Sequence, residues 1–282
     1  MKRILIPTNF SRTAGWATEL ATYLAEGSNA EMVLLHVVEY PTKESFDDDE
    51  LYGDLVAGAQ SSFVRKSITQ NKRYLNELAE NLGALGISVM KVIRWGNLIH
   101  AIKTVTFDFS VDLVVMGTTK RAEIEEVLDQ SRTEKVVKFS QVPVLVAHEK
   151  PSRNQFRNIV YATSQFENVT ALPEVIMNAQ NVKGSKLHIA TVDTGIPSVS
   201  ESDLKRKIEE FASRHNLISY SANVLKDTSE EAAIIRFANE ISADLIVIPT
   251  HGRVHLSHEV KGNIPQDIVN HSRLPVMTYL IP

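Results

Sequence analysis

Two stretches of the chain, Asp112-Leu113-Val114-Val115-Met116 and Asp244-Leu245-Ile246-Val247-Ile248, match at an offset of 132 residues, and Val142-Pro143-Val144-Leu145 matches Leu274-Pro275-Val276-Met277 at the same offset. A fixed offset held over two separated segments marks an internal duplication, which a chain satisfies by folding two copies of one unit. Near the start the offset is 155, where Ile4-Leu5-Ile6-Pro7 aligns with Ile159-Val160-Tyr161-Ala162. The first copy therefore holds 23 extra residues, all between Val38 and Ile87. The 282 residues divide into units at the usual domain size of roughly 100 to 150. Boundaries are expected at 1–148 and 155–282, with the polar segment Glu149 to Asn158, containing Pro151, Ser152 and Asn154, as the surface connection.

Within each copy, short apolar runs alternate with longer amphipathic segments. That pattern fits strands buried on both faces of a parallel sheet, with helices as crossovers. Strands are predicted at 2–7, 32–38, 87–93, 112–116 and 143–147, then at 157–162, 185–192, 218–224, 244–248 and 275–280. Helices are predicted at 12–27, 66–84, 97–109 and 131–139, then at 167–180, 201–215, 229–241 and 264–271. The fold class is α/β, two five-stranded parallel sheets of Rossmann-like order 3-2-1-4-5, with a ligand crevice outside the carboxyl ends of strands 1 and 4.

Hydrophobic residues at 43% and charged residues at 23% allow each copy a core without staples. The absence of cysteine excludes disulfides, thiolate metal sites and a thiol nucleophile. A net charge of -4 with a pI near 6.2 supplies no basic field for nucleic acid or an anionic membrane. Met1-Lys2-Arg3 and the short run that follows lack the apolar length of a signal peptide, and a cytoplasmic location is expected. Neither first strand is followed by Gly-x-Gly-x-x-Gly, no Walker A pattern occurs, and no Gly-x-Ser-x-Gly elbow presents a serine nucleophile.

Pro7-Thr8-Asn9-Phe10-Ser11, Met116-Gly117-Thr118-Thr119-Lys120 and Pro249-Thr250-His251-Gly252-Arg253 resemble the universal stress protein family, over nearly the whole chain and twice. The resemblance implies tandem α/β domains of the adenine nucleotide alpha hydrolase-like kind that pair through their fifth strands, so that Val144 to Ala147 and Val276 to Leu280 are expected to pair within the molecule as a pseudo-dimer, each covering the other's edge, with a homodimer of such chains as a further level of assembly. It also implies a glycine pattern around phosphate: Gly, two residues, Gly, nine residues, Gly, then Ser or Thr. In the first copy those positions are Gly117, Lys120, Gln130 and Ser131; in the second they are Pro249, Gly252, Gly262 and Asn263. Where the family usually has an Asp after strand one, this chain has Asn9 and Ser164. By resemblance, nucleotide binding falls mainly to the second copy, at Ala162, Ser164, Thr191, Ile248, Gly252, Gly262, Asn263 and Ile264. A degenerate first site would comprise Pro7, Asn9, Val37, Gly117, Lys120 and Ser131.

Backbone chemistry gives these positions a reason of their own. Glycine permits the left-handed dihedrals and close approach by which several N–H groups converge on a phosphate. Pro249 lacks an N–H and stiffens its turn. Lys120 either replaces a lost donor by charge or fills the phosphate's space with its stem. Ser131-Arg132-Thr133-Glu134 and Asn263-Ile264-Pro265-Gln266 read as capping boxes, an arrangement that stabilises a helix by about 1 kcal/mol with no ligand present.

The remaining candidates have plainer readings. His251, His255, His258 and His271 lie close in sequence, and His251 and His255 have i, i+4 spacing, yet no Glu follows His251 as a zinc hydrolase motif requires. Loop histidines at a pocket rim, sensitive to pH, are the simpler reading. Asp47-Asp48-Asp49-Glu50, in the insertion 39–65, lacks the alternating ligands and Gly of a calcium loop and reads as solvated. Trp16 reads as a helix core residue, and Trp95 as core or as the lining of a strand-to-helix mouth. The expected function is a universal stress response protein binding ATP or another adenine nucleotide, with Mg²⁺ as its companion ion and at most slow hydrolysis. The alternative is a scaffold or sensor without nucleotide, acting through protein partners or another small metabolite.

Overall fold

The computed structural model describes residues 1–38, 62–118, 124–151, 156–195, 199–251 and 264–282. The acidic run at 47–50 and most of the insertion around it lie outside them, as do Lys120, Gly252, His255, His258, Gly262 and Asn263. In the first half, β1 (Arg3–Pro7), β2 (Glu31–Val38), β3 (Val89–Trp95), β4 (Leu113–Gly117) and β5 (Val144–Ala147) are connected by α1 (Arg12–Ser28), α2 (Ser62–Ala84), α3 (Leu98–Asp108) and α4 (Ile124–Phe139). In the second, β6 (Asn158–Ala162), β7 (Lys186–Asp193), β8 (Tyr220–Lys226), β9 (Leu245–His251) and β10 (Val276–Ile281) alternate with α5 (Glu174–Lys183), α6 (Glu201–Arg214), α7 (Glu230–Glu240) and α8 (Ile264–His271).

All ten strands form one sheet in the order β3-β2-β1-β4-β5-β10-β9-β6-β7-β8. Each half thus has the predicted order 3-2-1-4-5, every pairing inside a half is parallel, and β5 meets β10 antiparallel with Val146 opposite Val276 and Val144 opposite Thr278. The two fifth strands close each other's edges in this way. Because side chains alternate across a strand, the sheet has two apolar faces. Ile4, Ile6, Tyr161 and Tyr279 belong to one continuous core, and Leu5, Val33, Val160 and Val276 to the other, each spanning both halves.

The duplication repeats down to single hydrogen bonds. Asp112 Oδ2 accepts from the backbone N–H of Lys2 and Arg3 at 2.5 and 2.9 Å, and Asp244 Oδ2 accepts from Arg157 and Asn158 at 2.8 Å each. Each carboxylate ties the start of its half's first strand to the fourth, which explains why the two aspartates match. Asn97 caps α3 and Ser229 caps α7, both by accepting N–H groups of the first turn.

Three elements depart from expectation. α5 starts at Glu174 instead of 167, because Pro173 lacks the N–H a helix interior needs and disfavours helical geometry at the residue before it. α4 starts at Ile124 instead of 131, so Ser131 lies within the helix instead of ahead of its first turn. Trp95 ends an edge strand and is 46% exposed instead of packed in the core.

Candidate functional site

In the first half, α1 begins directly beyond the end of β1. Ser11 holds its N-cap, with Oγ accepting from the Ala14 N–H at 3.3 Å, while Asn9 Oδ1 accepts from the Ser11 N–H and hydroxyl at 3.2 and 2.6 Å. Between them Phe10 adopts φ 62°, a left-handed conformation that costs a non-glycine residue roughly 1–2 kcal/mol. Its ring lies 4.9 Å from that of His36 and 5.5 Å from that of Tyr74. Strain of this kind collects at ligand-binding turns.

Gly117, at the end of β4, has a packing reason to be glycine. A Cβ there would lie 1.9 Å from the carbonyl oxygen of Thr13 and 2.3 Å from its carbon, both backbone atoms of the first turn of α1. The missing side chain lets the positive end of α1 press against the strand end at the point where the strand order reverses. A cavity of about 300 Å³ opens there. Pro7, Leu35, Val37, Leu98 and Met116 give it apolar walls, and Asn9, His36, Asn71, Arg132 and Thr133 give it polar groups. His36 is buried with Nδ1 2.9 Å from the Thr8 carbonyl oxygen. A carbonyl only accepts, so Nδ1 carries the proton and Nε2 is the ring's remaining acceptor.

Of the predicted first-site residues, the cavity brings together Pro7, Asn9, Val37 and Gly117. Lys120 and the side chain of Ser131 lie outside the described residues. Sequence reasoning missed His36 and Arg132 as lining residues. For His36 the available signal was its place near the carboxyl end of β2, beside the crevice such a sheet order creates.

In the second half, Ala162, Thr191 and Ile248 are buried in β6, β7 and β9 toward the same end of the sheet, Ser164 is exposed just after β6, and Ile264 opens α8. Thr163 N–H donates to the Ala190 carbonyl as Thr8 N–H does to that of Leu35. The strand framework is therefore repeated and the helix is not. The chain from Thr163 to Pro173 runs irregularly, held by Arg214 Nη1 donating to the Phe166 carbonyl at 3.0 Å and by His215 Nε2 3.2 Å from the Val169 carbonyl. Phe166 and Tyr161 pack on Phe211, and Tyr161 shares a buried 2.7 Å hydroxyl contact with Tyr279, whose pKa burial pushes up to about 12. The counterpart of Gly117 is Pro249, paired in β9. His251 also lies in β9, so it cannot share a helix face with His255, and His271 Nδ1 sits 2.5 Å from Glu231 Oε1. Among the described residues, no group of three or more His, Cys, Asp or Glu is placed to hold a metal ion, and no helix is long and apolar enough to cross a membrane.

A doubly wound strand order repeated within one ten-stranded sheet, with a crevice at the order reversal of the first half, defines a tandem α/β protein. The model of the universal stress protein family matches residues 1–148 and again 155–279, and the chain belongs to that family. It is 29% identical over 160 residues to a universal stress protein of Methanocaldococcus jannaschii, covering 54% of this chain and 97% of the relative. A Synechocystis universal stress protein is 22% identical over 303 residues, covering 99% of this chain and 100% of the relative. The crystal structure of a universal stress protein from Archaeoglobus fulgidus superposes with a TM-score of 0.71 at 18% identity, covering 99% and 98% of the two chains, a likeness of fold.

Proposed function

We propose that this universal stress protein binds an adenine nucleotide in the crevice of its first half. The observation that carries the reading is the cavity of about 300 Å³, where the first turn of α1 and Arg132 border apolar strand ends. The apolar wall of Leu35, Val37 and Met116 suits a base. Asn9, with Oδ1 already taken by Ser11, offers its amide N–H groups, and His36 Nε2 offers an acceptor. Arg132 and the helix end suit phosphate. No carboxylate lines the cavity among the described residues, so Mg²⁺ would arrive on the nucleotide's own phosphates, and at most slow hydrolysis is expected.

The sequence favoured the second half through Gly252 and Gly262. The withdrawn α5 and Pro249 support a different role there, a surface for a protein or another metabolite. Thermal shift titration with ATP and Mg²⁺ tests the assignment. A rise in Tm is expected, since a ligand at a hundredfold its Kd stabilises the fold by about 2.7 kcal/mol. Arg132→Gln should weaken binding about tenfold or more, the scale of one charged hydrogen bond to phosphate, while Gly252→Val leaves it unchanged. No shift with the unaltered protein, or loss through Gly252→Val alone, contradicts the proposal.

A further inference from the structure

The second half carries polar side chains at sheet positions that the first fills otherwise. At the 155-residue offset His188 matches Val33, and Ser221 lies opposite His188 as Met90 lies opposite Val33. Val33 is fully buried and Met90 half-buried, so apolar side chains meet the packing needs of both places and the fold does not call for an imidazole or a hydroxyl. His188, buried in β7, has Nδ1 2.9 Å from Ser221 Oγ in β8 and Nε2 3.4 Å from Asn158 Oδ1 in β6. The amide oxygen only accepts, so Nε2 carries the proton and Nδ1 accepts from the serine hydroxyl. Desolvation, aided by the Lys186 ammonium, lowers the His188 pKa below its ordinary 6.5 and keeps the ring a neutral base. Phe237 packs edge-on against the imidazole at 6.3 Å. Asn223 Nδ2 stands 3.2 Å from Ser221 Oγ. β8 is the outermost strand and Ser221 is half-buried, so a reagent can approach from the sheet edge.

We propose that Ser221 is a nucleophile activated by His188, which Asn158 orients, and that it accepts an acyl group from an activated ester. Ser221 Oγ attacks the carbonyl carbon and its proton passes to His188 Nδ1. As the carbonyl re-forms, the bond to the leaving alkoxide breaks, and that alkoxide takes the proton from His188, leaving an acyl ester on Ser221. Asn223 Nδ2 donates to the Ile189 and Ser221 carbonyl oxygens at 3.1 and 3.0 Å and so fixes the backbone that carries the serine. These groups lie at the amino ends of β6, β7 and β8, opposite the end of the sheet that carries the nucleotide crevice, and the proposal is independent of nucleotide binding.

The full chain treated with p-nitrophenyl acetate, followed by peptide mass mapping, tests this. One acetyl group per chain is expected on Ser221, with a matching burst of nitrophenolate, and none at that position in Ser221→Ala. His188→Val, which places at 188 the residue found at the matching Val33, and His188→Gln should each slow acetylation of Ser221 about a hundredfold, the usual scale of a general base. The unaltered protein should react at a constant rate above the ordinary histidine range and more slowly below it. Acetylation confined to lysines, or a Ser221 rate unchanged in a folded His188→Val variant, overturns the proposal.

Discussion

The two halves share sheet order, aspartate ties and caps, and differ where the first helix meets the fourth strand. In the first, Gly117 leaves room for the Thr13 carbonyl and α1 starts at Arg12. In the second, Pro249 occupies the matching place and the helix starts at Glu174, although Arg12 aligns with Glu167 at the 155-residue offset. The shortfall of about two turns withdraws the positive helix end by roughly 10 Å, at 1.5 Å per residue. Glycine at the strand end and a helix that reaches it occur together, and both are lost together. A duplication preserves what the sheet needs and lets the crevice diverge.

Substitutions at the contact itself give the largest effect. Gly117→Ala drives a Cβ into backbone that cannot rotate away, and a loss of about 3 kcal/mol is expected from denaturant midpoints, at the upper end for overpacking. Pro249→Ala should change stability far less; equal losses would break the comparison. Where the halves are alike, effects should match. Asp112→Ala and Asp244→Ala each remove two hydrogen bonds from backbone donors, one exposed and one half-buried, and should cost about 1–2 kcal/mol apiece, so a clear inequality would show that the repeat is less faithful than its hydrogen bonds.

Acid should separate the halves by a smaller margin. Burial is the main cause holding His188 and His215 below the ordinary 6.5, and the neighbouring Lys186 and Arg214 charges add to it, so the unfolded chain binds these protons more readily than the folded one. Their contribution is complete above 6.5 and is lost as pH falls through that value and the lowered folded ones. Hydrogen exchange in mild acid should quicken around β7 and α6 before β2, and His188→Val with His215→Asn should narrow the gap. The smallest effect is expected from Pro173→Ala combined with Pro249→Gly, which should add up to about two turns of helical signal in circular dichroism, where Pro173→Ala alone adds less.

Much of this architecture was legible in the sequence because a repeat with apolar runs constrains strand order, and unprotected fifth strands constrain each other. The late start of α5 was written in Pro173 but masked by the apolar periodicity of its surroundings. The start of α4 was obscured by Ser131-Arg132-Thr133-Glu134, a convincing cap pattern inside a helix that had already begun. The crevice was legible at Pro7, Asn9, Val37 and Gly117, which border strand ends. His36 and Arg132 join it only through folding, as His188 meets Ser221 through a parallel register that sequence proximity does not reveal.

Hydrogen exchange of the full chain with and without saturating ATP distinguishes a nucleotide in the first crevice from one in the second half. Slowed exchange is expected at residues 7–14 and 116–118, with no change at 162–173. Protection at 162–166 and 248–251, with the first half unaffected, would contradict it.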